Sequence, residues 1–61
     1  MSSLSVDELN FIEKHLIYEK TMVAKYKSCY YLCKDPQLKQ LCEQIAAKHQ
    51  DHYLKLLNSL S

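Results

Sequence analysis

Three side chains in this sequence have the types and spacing to do chemistry together: Glu19, His49 and His52. Glu19 stands in a stripe that repeats at steps of three and four: Leu9, Ile12, Leu16, Glu19, Val23, Tyr26, Tyr30, Cys33. Every other member of that stripe is apolar, aromatic or cysteine. His49 and His52 are the matching exceptions in a second stripe of Leu38, Leu41, Cys42, Ile45, His49, His52, Tyr53, Leu56 and Leu60. Three residues apart on a helix, the two histidines share a face. A buried carboxylate is costly unless it is paired or ligates a metal. One carboxylate oxygen and two imidazole nitrogens form a donor set suited to Zn, Fe or Mn. Doubled by a two-fold axis, the set would offer up to six ligands. The alternative is a polar network, in which Glu19 pairs with a protonated His49 or His52 and no metal takes part. A third outcome is that one or more of these side chains point outward.

His15 lies one turn before Glu19, toward the edge of the stripe, where it reads as a surface histidine or as an extra ligand. Tyr26 lies on the Glu19 face and reads as core packing with a hydrogen-bonded hydroxyl. Tyr30, Tyr31 and Tyr53 read as packing and interface aromatics. Cys29, Cys33 and Cys42 include no CxxC pair and are odd in number. Such cysteines fit a reducing compartment. They are expected reduced and mostly buried, as small core residues. A three-thiolate zinc site is the other option, with no fourth ligand nearby. No Gly-rich phosphate loop is possible without glycine, and no nucleophilic triad can be argued.

The elements that must position these residues are two helices. Ser5-Val6-Asp7-Glu8 is a capping box, with Leu4 and Leu9 placed for a hydrophobic staple. The first stripe has heptad-like spacing over about four heptads, which gives a helix over about residues 6–33, a rod roughly 42 Å long. Lys34-Asp35-Pro36 ends it, because a residue before proline is pushed out of the helical region. Asp35 is a good N-cap and Pro36 suits the first helical position. The second helix is expected over about 36–58, fraying near Asn58. A tight turn there makes the helices antiparallel and sets Glu19 level with about position 50, between the two histidines.

The chain has 61 residues, 48% apolar, with no glycine and one proline. That argues for one all-α domain, residues 1–61, an antiparallel two-helix hairpin. A chain this short buries only about 60% of its unfolded surface. A hairpin cannot cover both faces of its stripes, so a homodimer forming a four-helix bundle is expected. Eight Lys+Arg against seven Asp+Glu leave a net charge of +1, no electrostatic footprint for nucleic acid or for an acidic membrane. No apolar run approaches the ~18–20 residues of a membrane span. Met1 to Val6 is polar and lacks a signal-peptide core. The expected location is the cytoplasm.

The order Glu19, Lys25-Tyr26, then KDPQLKQLCEQIAAKHQDHYLKLL from Lys34 to Leu57 resembles the short ferritin-like spore coat proteins of spore-forming clostridia, of the coat F type. The similarity spans about residues 9–57. It implies a ferritin-like bundle, a location in the spore coat and other coat proteins as partners. In ferritin-like proteins one helix gives a Glu, and another gives Glu-x-x-His, to a two-metal centre. Glu19 matches the first Glu and His52 the ligand histidine. His49 stands where the bridging Glu is expected. A histidine cannot bridge two metals as a carboxylate does, so the departure favours a single metal, a zinc, or none over a di-iron oxidase. No enzymatic activity is implied. The competing function is a non-metal structural or interaction module, in which the buried polar residues set pairing register.

Overall fold

The computed structural model describes residues 4–61 as two helices, α1 (Val6–Leu32) and α2 (Pro36–Asn58), packed antiparallel. Met1 to Ser3 lie outside the described residues, and with them part of the N-terminal stretch read above as lacking a signal core. Among the described residues there is no strand.

α1 starts where the capping box places it. Ser5 Oγ accepts the Glu8 backbone N–H at 3.1 Å, and the Glu8 carboxylate accepts the Ser5 N–H at 3.0 Å. Two of the first-turn donors that a helix leaves unpaired are thereby satisfied. The helix stops one residue short of the expected end. Cys33 takes extended backbone (φ −78°, ψ 137°) while its N–H still donates to the Cys29 carbonyl at 2.9 Å. The turn is therefore only Cys33-Lys34-Asp35. Asp35 Oδ1 accepts the Gln37 N–H at 2.9 Å, and Pro36 opens α2. Proline loses nothing at that position, since its missing N–H would have had no helical partner.

The core is a seam between the helices. Ile12 and Val23 of α1 and Cys42 and Ala46 of α2 are buried, and Glu19 is buried among them. The small Ala46 lets the backbones approach. Among the described residues no large side chain is fully buried. Phe11, Ile17, Tyr18, Leu38, Leu41, Leu54 and Leu57 are all exposed. The hairpin thus leaves much of its apolar complement in water, as its small size demands.

The cysteines depart from expectation. Cys29 and Cys42 face each other across the seam with Cα atoms 6.0 Å apart, and their sulfurs are joined as a disulfide. Cys33 alone is a free thiol. Of the three, Cys42 is buried, and Cys29 and Cys33 are only half-buried. The reduced, mostly buried trio read from the odd count is corrected here. The antiparallel register sets Cys29 beside Cys42, and the Cα separation falls in the range a disulfide spans.

Candidate functional site

The same register brings Glu19 to His49. His49 Nδ1 is hydrogen-bonded to Glu19 Oε1. His52 Nδ1 lies 3.4 Å from the other carboxylate oxygen, Oε2. One donor atom from each of Glu19, His49 and His52 falls within 4.8 Å of the other two, a grouping able to hold a metal ion. All three residues singled out by spacing meet at one level of the hairpin, and none points away from the others. Their burial is graded. Only 4% of the Glu19 side chain is exposed, against 19% for His49 and 56% for His52. The site therefore has a closed floor at Glu19 and an open rim at His52.

A fourth group joins them. His15 Nε2 lies 3.3 Å from Glu19 Oε2, with its side chain 40% exposed. The surface reading of His15 is thus incomplete: it is on the surface and on the carboxylate at once. The i, i+4 relation to Glu19 was the available signal, because such pairs are neighbours on a helix.

Aromatic rings hold the histidines. Tyr26 stacks on His49 with centroids 6.0 Å apart and planes 12° from parallel. Tyr18 meets His49 edge-on at 6.0 Å and His15 at 5.5 Å. Phe11, one turn earlier, lies 5.4 Å from His15. Such contacts favour particular ring orientations. Tyr26 acts here by stacking.

The electrostatics follow from this enclosure. Burial alone pushes the Glu19 carboxyl up. The His49 hydrogen bond and the positive charge of His49, His52 and His15 act the other way, and together they hold it below the ordinary carboxylate value. An ionised carboxylate only accepts hydrogen bonds, so in the metal-free protein the nitrogen of His49 facing it carries a proton. Among the described residues no buried side-chain polar atom lacks a partner.

A pH dependence is expected from that shift. With the folded value below the unfolded one, Glu19 contributes stability in full above the unfolded carboxylate value of about 4.3, and loses it as pH falls through the depressed folded value. Metal-free protein melted from about pH 5 down to about pH 3 should lose stability more steeply than a Glu19→Gln variant, which carries no titrating carboxyl there. Parallel curves for the two proteins would contradict the assignment.

Compared with known proteins, the chain matches no family model, no curated protein and no solved structure.

Proposed function

We propose that this hairpin is a metal-binding helical module. Glu19, His49 and His52 hold one divalent ion per chain, and a second copy completes a ferritin-like four-helix bundle around it. The observation that carries the reading is the convergence of one buried carboxylate and two imidazoles from opposite helices. The donor chemistry fits the ion. Carboxylate oxygen and imidazole nitrogen are ordinary ligands of Zn, and also of Fe and Mn. The protein supplies the geometry: the capped helices fix the register, and Tyr26 and Tyr18 fix the rings. The ion would neutralise the buried charge and cross-link α1 to α2. Isothermal titration of metal-free protein with Zn²⁺ should give one site per chain, lost in Glu19→Ala. Absence of binding would leave the second reading below.

That second reading is the polar network, and it too has an observation behind it. Glu19 is already contacted by three histidines, and among the described residues no buried side-chain polar atom is orphaned. The cluster could then serve only to fix pairing register within a structural or coat-type module. Under it, Zn²⁺ changes nothing and Glu19→Ala affects stability alone.

Self-association rests on surface. The chain exposes 4957 Å², where a compact monomer of its 7.2 kDa mass would expose roughly 4,100 Å². Phe11 and Tyr18 on α1, and Leu38 and Leu41 on α2, lie open to solvent. Sedimentation equilibrium at micromolar concentration should give twice the chain mass. A folded monomer across that range would exclude the bundle. On the resemblance noted above, the biological setting would be the spore coat, with other coat proteins as partners. No helix among the described residues is long and apolar enough to cross a membrane.

A further inference from the structure

We infer that His15 is the fourth ligand of the metal, making the site a closed, four-coordinate N₃O centre built within a single chain. The inference rests on the metal-site reading above and deepens it.

Two helical pairs face each other across the seam. On α1, His15 and Glu19 are four residues apart; on α2, His49 and His52 are three apart. Each spacing places two side chains one turn apart on one face. The four-residue spacing on α1 is the one by which two side chains of one helix share a zinc in the His-x-x-x-His arrangement. The turn at Cys33–Asp35 sets the two pairs level, so that four donors, two from each helix, approach one point.

The distances agree. His15 Nε2 and His52 Nδ1 reach the same oxygen, Glu19 Oε2, at 3.3 and 3.4 Å, while His49 Nδ1 takes Oε1. Three imidazoles already surround one carboxylate, from both helices. A divalent ion inserted among these groups meets three nitrogens and an oxygen. His15 lies outside the grouping of Glu19, His49 and His52 whose donor atoms fall within 4.8 Å of one another. Ligation by His15 would bring its part-exposed ring into that grouping. Phe11 and Tyr18 flank its ring, with centroids 5.4 and 5.5 Å away.

The consequence is chemical. Zinc sites with four protein ligands are structural, whereas catalytic ones keep a position open for water. With His15 in place, this centre has no such opening. It is a staple between α1 and α2 and not a reaction centre. It also needs no ligand from a second copy, so metal binding and self-association are separable.

Cobalt(II) tests this, because its visible absorption reports coordination number. Metal-free wild-type protein, His15→Ala and Glu19→Ala are titrated with Co²⁺, with helix content checked by circular dichroism. His15 lies at the surface, so its removal should leave the fold intact. The wild type should show the intense visible bands of four-coordinate cobalt. In His15→Ala those bands should weaken as water enters. Losing even an outer partner of a ligand costs 10–100-fold in metal affinity, so loss of a ligand should cost at least about tenfold. Adding imidazole should restore the wild-type spectrum to His15→Ala. If His15→Ala keeps the wild-type spectrum and affinity while Glu19→Ala loses binding, the site stands and the role of His15 is overturned. If the wild type binds no cobalt, both are overturned.

Discussion

Zn²⁺ is expected to raise the melting temperature of the metal-free protein by roughly 15–30 °C at a thousandfold excess over Kd. A ligand bound only by the native state stabilises it by mass action, about 4 kcal/mol at that excess. In a domain this small each kcal/mol moves the midpoint by roughly 4–8 °C. The effect is large because the hairpin has so little core of its own: among the described residues, Ile12, Val23, Cys42 and Ala46 are the buried apolar ones. Chelator should reverse the shift. Glu19→Ala should show a much smaller shift, since the buried oxygen donor is gone. Melts at fixed protein concentration check this, because self-association also moves the midpoint. An equal Zn²⁺ effect on wild type and Glu19→Ala would place the metal elsewhere.

The second large effect is expected from the disulfide. Cys29 and Cys42 close a loop with a sequence separation of 13, and a loop near that size contributes about 3 kcal/mol by restricting the unfolded chain. Reductant should therefore lower the melting temperature of the metal-free protein by roughly 12–24 °C. A Cys29→Ala/Cys42→Ala double variant should melt near the reduced wild type and ignore reductant. A wild type equally indifferent to reductant would show that the bond contributes nothing. Disulfide and metal act at different levels of the hairpin. The disulfide lies near the turn and the Glu19 cluster near the middle of α1, so their effects should add, as distant independent sites do.

Much of the fold was legible because local signals agreed with one another. Ser5 and Glu8 could be read as a reciprocal cap, and Asp35-Pro36 as a stop followed at once by a start. Those two punctuation marks, with two apolar stripes between and after them, leave little besides a hairpin. Glu19 was legible for a related reason. A single carboxylate in a seam its neighbours fill with apolar groups needs a partner, and the turn fixed where the partner must be. Two features were less legible. The odd number of cysteines spoke for reduced thiols. The register that levels Glu19 with position 50 also brings Cys29 close to Cys42, and the structure pairs them. His15 sits at the edge of the stripe, where helical projection separates core from surface poorly. What decides its place is the carboxylate it reaches and the rings of Phe11 and Tyr18 that hold it there. Projection along one helix contains neither.

The central claim, a metal held by Glu19, His49 and His52, is tested most directly by X-ray absorption of the protein loaded with one equivalent of Zn²⁺. The account predicts a first shell of nitrogen and oxygen only, at about 2.0–2.1 Å, with the outer-shell scattering of imidazole rings, and much weaker metal loading in Glu19→Ala. A shell containing sulfur at about 2.3 Å would assign the metal to cysteine and contradict the claim. So would a shell of water oxygens without imidazole.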